Sequence, residues 1–132
     1  MVAEGPNSDD DGSTAMMGYV LGKAEGEDKL WHGHVSAVTV APSYRRLGLA
    51  KTLMDDFEQL CVNTYQAYFV DLFVRETNHL AQEMYEKFGY STCKFKIWSY
   101  MVNGNNIANY CTQRSTSFSR RRNERGDACI ID

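Results

Sequence analysis

A chain of 132 residues suits one domain with one core, and 43% hydrophobic with 23% charged residues is ordinary globular usage. A formal net charge of −3 gives no overall nucleic-acid footprint. No run approaches the roughly 18 apolar residues of a membrane helix, and no charged segment followed by an apolar one opens the chain, so neither a membrane span nor a secretory leader is expected. Cys61, Cys93, Cys111 and Cys129 are widely spaced without a CxxC pair. They read as free thiols of a reducing compartment, the cytoplasm, rather than a disulfide frame or a zinc site.

Residues 1–15 are polar, rich in Gly, Asp and Ser, and read as a flexible N-terminal loop. Met16 to Lys23 is short and apolar between glycines, which predicts a strand; Ala24 to Lys29 is a charged turn. Trp31 to Val40 reads as a second strand. Within it Val35 and Ala37 share one parity, whereas Val38 and Val40 share the other. A β-bulge would produce that phase change, and so would a strand buried on both faces. Ala41-Pro42-Ser43 ends this strand, because proline cannot continue a central ladder.

After Gly48, the residues Leu49, Leu53, Phe57 and Leu60, with Ala50, Met54 and Cys61, recur at helical spacing and predict about four turns packed on a sheet. Ala67 to Val74 is apolar at nearly every position except Asp71, as in a strand covered on both faces. Asp71 is expected to pair with an arginine, Arg75 included. Thr77 and Asn78 are good helix N-caps, Leu80, Ala81, Met84, Tyr85 and Phe88 form a second stripe, and Gly89 stops it. Tyr90 to Trp98 alternates as a strand. From Met101 the pattern dissolves, and Arg120, Arg121, Arg122 and Arg125 make residues 101–132 a basic, disordered tail. The order strand-strand-helix-strand-helix-strand is an α/β arrangement with helices on a sheet.

The stretch Arg45-Arg46-Leu47-Gly48-Leu49-Ala50 lies between a strand and a helix. A helix start offers unpaired N–H groups and partial positive charge, a natural phosphate site. Gly48 and Ala50 keep side chains away, and Arg45 and Arg46 can add charge-assisted contacts. The segment is neither a P-loop nor a dinucleotide fingerprint, and two arginines before a helix are commonly just solvated. R-x-x-G-x-A after a strand ending Val-x-Val and Ala-Pro resembles the pyrophosphate loop of the GCN5-related N-acetyltransferases (GNAT). Arg75, Asn78, Ala81, Tyr85 and Phe88-Gly89-Tyr90 resemble that family's later helix.

Met17 to Gly26, Trp31 to Val35 and Val70 to Arg75 are similar to the catalytic subunits of the N-terminal acetyltransferase B (NatB) branch. The resemblance implies a GNAT acyl-CoA N-acyltransferase fold over 16–100, a mixed sheet flanked by helices, lacking the family's N-terminal strand and two helices. It implies acetyl-CoA as co-substrate, bound by the backbone at Val38 and Val40, by Arg45, Arg46, Gly48, Leu49 and Ala50, and by Asn78 and Tyr85. Tyr85 would protonate or orient the leaving thiolate. His34 would serve as a base or contact the substrate's second residue, with Phe73 and Tyr100 beside the peptide. Ser99-Tyr100 stands where the family has a Tyr pair. The implied reaction acetylates the α-amine of Met-Asp, Met-Glu, Met-Asn or Met-Gln N-termini, with an auxiliary subunit and at the ribosome. No membrane or specific nucleic acid is implied. A second reading is a truncated paralogue or isoform that binds acetyl-CoA or a partner without turnover. His32-Gly33-His34 could mimic a metal pair, but no convergent carboxylates or cysteines are visible near it in the sequence, so no metal is expected.

Overall fold

A computed structural model describes residues 1–6, 12–102 and 105–115, with side chains through Ser91 apart from that of Lys29. The elements are β1 (Val2–Pro6), β2 (Thr14–Glu25), β3 (His32–Val40), α1 (Leu49–Asn63), β4 (Phe69–Arg75), α2 (His79–Lys87), β5 (Ser91–Val102) and β6 (Asn105–Ser115). Short 3-10 turns at Asp28–Leu30 and Pro42–Tyr44 lead into and out of β3. Among the described residues the strands form one mixed sheet in the order β1-β2-β3-β4-β6-β5. The β3–β4 pair is parallel, and the other neighbours are antiparallel.

The two helical stripes and the four strands expected from the pattern are present. Two expectations are corrected. The loop reading of residues 1–15 misses β1, which pairs with β2 and gives that strand an outer neighbour. Met1 is tied in as well: its amino group donates to the Val20 carbonyl at 2.9 Å, and the Val20 N–H donates to the Met1 carbonyl at 3.0 Å. Residues 7–13 separate β1 from β2, too short a segment for two helices. The dissolved pattern after Met101 misses β6, which inserts between β4 and β5. An Asn-rich segment has weak strand preference; pairing on both edges is what makes it a strand. The arginine run at 120–125 lies outside the described residues.

The core explains why the helix lies where it does. Leu53, Met54, Phe57 and Cys61 form the buried stripe of α1 and pack on Val20, Val35, Val70, Leu72 and Val74. Each such burial contributes about 1.5–3 kcal/mol. Helix and strand approach most closely at Gly33, where an added Cβ would lie 2.4 Å from the Cys61 sulfur. The register of β2 on β3 shifts between Leu21 and Gly22, whose partners are Ala37 and Val35, so Ser36 is the extra residue of a β-bulge. That bulge lets Val35 and Val38 face the same side despite their odd spacing, and the bulge reading of the sequence is the correct one.

Candidate active site

Strands β3 and β4 are paired only from His32–Phe69 to Val35–Leu72. Beyond that point β3 runs on to Val40 and β4 to Arg75 without pairing each other, so a gap opens in the sheet. The direction of the β3 amides there follows from the ladder on the other edge. Val20 uses both its N–H and its carbonyl on Met1, so Val38 opposite it belongs to a pair that exchanges no bonds with β2. Ala41 donates to the Met17 carbonyl at 2.8 Å, which places the neighbouring Val40 in the same class. The N–H groups of Val38 and Val40 therefore point into the gap.

Where β3 ends, the chain turns through Arg45, Arg46, Leu47 and Gly48 into α1. Gly48 is the N-cap at φ 79°, with no side-chain cap. The first helical bond runs from the Thr52 N–H to the Gly48 carbonyl, so the amides of Leu49, Ala50 and Lys51 have no partner within the helix. An added Cβ on Gly48 would meet nothing within 4 Å, so glycine is needed here for its left-handed backbone and not for lack of room. Arg46 also has positive φ, 64°, a costly conformation for a residue with a side chain. Arg45 donates from Nε to the Val40 carbonyl at 3.2 Å, which ties this exposed loop to the mouth of the gap. A bare helix start, two arginines and two outward amides thus line one continuous path.

At the closed end of the gap lies a polar cluster. Gly33 and Val35 face α1, so His32 and His34 face the opposite side of the sheet. Each is placed by register: His32 stands opposite Glu25 on β2 and Phe69 on β4, and His34 stands opposite Asp71. His34 is 9% exposed and Asp71 8%. Their contact, His34 Nδ1 to Asp71 Oδ1, is 2.8 Å. A carboxylate oxygen only accepts, so Nδ1 carries the hydrogen in this contact. Asp71 meets His34 and, at 3.6 Å, His32 Nε2, a partnership that sequence reasoning did not foresee. A parallel partner strand puts a histidine within reach of Asp71.

His32 donates from Nδ1 to the Leu30 carbonyl at 2.6 Å and stacks on Phe69 at 4.8 Å between ring centroids. Its Nε2 is 3.8 Å from Glu25 Oε1. A hydrogen bond from Lys23 holds the Glu25 carboxyl below the usual range. Sequence reasoning missed Glu25 and Asp71 as neighbours of the histidine pair, because each sits on a different strand. The cross-strand register was the signal that could have found them.

The other predicted site residues fall around this frame. Phe73 is half-exposed on β4 beyond the last parallel pair, its ring 4.8 Å from that of His34. Asn78 caps α2: its Oδ1 accepts from the Ala81 N–H at 3.2 Å. Tyr85 is 9% exposed, in the core cluster on the side of α1, with edge contacts to Phe88 and Tyr90. Burial pushes its phenol above the ordinary value. Leu49 and Ala50 are half-buried in the first turn of α1. The side chain of Tyr100 lies outside the described residues. His79 is exposed and remote in sequence from the cluster, and Cys61 is buried in the core.

A split parallel pair with outward amides and a bare helix start beside it offers a place for an extended ligand that ends in phosphate. Residues 8–90 match the acetyltransferase (GNAT) family, and the chain belongs to that family. Within it, the chain is 57% identical over 84 residues to N-alpha-acetyltransferase 20 of Dictyostelium discoideum, covering 64% of this chain and 49% of that protein. It is 54% identical over 89 residues to the N-terminal acetyltransferase B complex catalytic subunit NAA20 of Arabidopsis thaliana, covering 67% and 48%. The chain spans about half the length of the curated relatives it matches. Among solved structures, the NatB acetyltransferase complex bound to CoA and MES superposes with a TM-score of 0.69 at 32% identity, over 87% of this chain and 72% of that one. Chaetomium thermophilum Naa20 in complex with a bisubstrate analogue gives 0.68 at 31%, over 96% and 72%.

Proposed function

We propose that this chain moves acetyl from acetyl-CoA to the α-amine of protein N-termini beginning Met-Asp, Met-Glu, Met-Asn or Met-Gln, as a NatB-type catalytic subunit. The single observation that carries the reading is the gap between β3 and β4, with the Val38 and Val40 amides facing into it. Similarity to N-terminal acetyltransferases supports the acceptor class, since a cofactor site does not report its acceptor.

In this reading the pyrophosphate rests on the amides at the start of α1, flanked by Arg45 and Arg46, and the pantetheine arm extends β3 through Val40 and Val38. An N–H at this edge polarises the thioester carbonyl and stabilises the oxyanion as the amine attacks. The peptide reaches the thioester from the face of His34 and Phe73, opposite the face covered by α1. His34 Nε2, oriented by Asp71 on the other nitrogen, accepts the proton that the α-amine gives up. As the C–S bond breaks, the Tyr85 hydroxyl donates its proton to the thiolate; burial raises that phenol further above its ordinary value. His34 also stands where it can meet the substrate's second residue; a base and a contact are compatible roles for one ring. Asn78 would approach the cofactor arm with its Nδ2, since its Oδ1 is engaged in the cap.

An auxiliary subunit, and through it the ribosome in the cytoplasm, are the partners of this reading. A second reading is favoured by the length of the 7–13 connection, too short to hold two helices: the chain binds acetyl-CoA or a partner without turnover. Acetyl transfer from labelled acetyl-CoA to a Met-Asp peptide, with and without the auxiliary subunit and against a Ser-starting control, separates the two. Selective transfer to Met-Asp is expected. Cofactor binding with no transfer to either peptide would establish the second reading instead.

A further inference from the structure

We propose that Glu25, His32 and His34 form a binding site for a divalent transition-metal ion of the zinc class, with Asp71 beside it. The three side chains each offer one ligand atom, and these atoms lie within 4.8 Å of one another. Bonds of about 2.0–2.1 Å to a tetrahedral zinc ion set ligand atoms roughly 3.3 Å apart. His32 Nε2 already lies 3.8 Å from Glu25 Oε1 and 3.6 Å from Asp71 Oδ1, so small side-chain rotations close the shell.

The supporting contacts are those of a metal centre. A metal-bound histidine has its other ring nitrogen held by a carbonyl or carboxylate, which fixes the tautomer. His32 meets that condition through Nδ1 on the Leu30 carbonyl at 2.6 Å, and its stacking on Phe69 sets the ring plane. Asp71 is 2.8 Å from His34 Nδ1 and can hold that ring or join the shell. Two imidazoles with carboxylates select zinc, copper, nickel or cobalt, whereas magnesium and calcium require oxygen shells. The ligands come from β2 and β3, with Asp71 on β4, and the hairpin register sets Glu25 directly opposite His32.

Occupancy would take the lone pair or the freedom of His34 and place a cation where a neutral amine must arrive. That consequence for transfer rests on the proposed acetyltransferase reading; the metal site itself does not.

The test is competition between the full chain and a chromophoric chelator for Zn2+, with Mg2+ as the contrasting ion. One bound zinc is expected, with affinity reduced about tenfold or more by Glu25→Gln and by His32→Gln, and unchanged by His79→Gln. Substituting Co2+ should give the visible absorption of a low-coordinate site without thiolate charge-transfer bands. The proposal is overturned if no zinc binds, if both variants bind as tightly as the parent, or if thiolate bands assign the ion to cysteines. Acetyl transfer measured in parallel keeps the two readings apart. Zinc that slows transfer in the parent and not in His32→Gln places the site at the acceptor end. Zinc that binds without slowing transfer leaves the metal site intact and removes His34 from the acceptor amine.

Discussion

Val38→Pro tests the gap most directly, because the register isolates one hydrogen-bond donor. The substitution deletes the Val38 N–H, and that group makes no bond to β2, since Val20 opposite spends both backbone groups on Met1. The ladder therefore stays whole, and the melting temperature should fall only by what the packing of Val38 on the core contributes, less than in a ladder-breaking variant. What is lost is one bond to the cofactor arm, a net 0.5–1.5 kcal/mol, or roughly 2- to 13-fold in the Kd for acetyl-CoA. If the same N–H stabilises the oxyanion, kcat falls a further 10²–10³-fold or thereabouts. Thr39→Pro is the control, because its N–H lies on the β2 side. It leaves a ladder carbonyl unpaired, at about 1–3 kcal/mol of stability. Calorimetric titration with acetyl-CoA and thermal melts read both variants. Wild-type affinity in Val38→Pro, or a melting loss in it as large as in Thr39→Pro, would refute the assignment of these amides.

Four other outcomes follow from the same geometry. Gly48→Glu should lose acetyl-CoA binding while staying folded. It costs about 1–2 kcal/mol of left-handed strain and sets negative charge among helix-start amides, yet its Cβ meets no neighbour within 4 Å; titration calorimetry and a melt check the pair of effects. Asp71→Asn should reduce kcat about 100-fold with acetyl-CoA affinity preserved, because His34 loses the carboxylate that fixes its tautomer; steady-state kinetics decide it. Gly33→Ala should destabilise by about 1–3 kcal/mol, its new Cβ lying 2.4 Å from the Cys61 sulfur in a filled core. Burial pushes the Cys61 thiol from 9.0 up to about 11, so the folded state favours the neutral form. Its stabilising effect is complete below pH 9 and is lost as pH rises toward 11. Melts should therefore fall more steeply with alkaline pH in the parent than in Cys61→Ala.

Much of this protein was legible along the chain. The stripe of α1, the cap at Asn78 and the stop at Gly89 are set by bonds and faces that repeat within a few residues. The bare helix start after Gly48 was legible for the same local reason. The phase change from Val35 to Val38 left a bulge and a strand buried on both faces open, and the register of β2 on β3 chose the bulge. What no local pattern held was partnership across strands. β6 is polar and became a strand by pairing with β4 and β5, and β1 did so by closing the edge of β2. The outward direction of the Val38 amide depends on Met1, and Asp71 meets His34 because a parallel ladder aligns residues 37 apart. Helix faces and turns are fixed by bonds between near neighbours, so sequence determines them. The site is built from register between distant strands, which only the closed sheet decides.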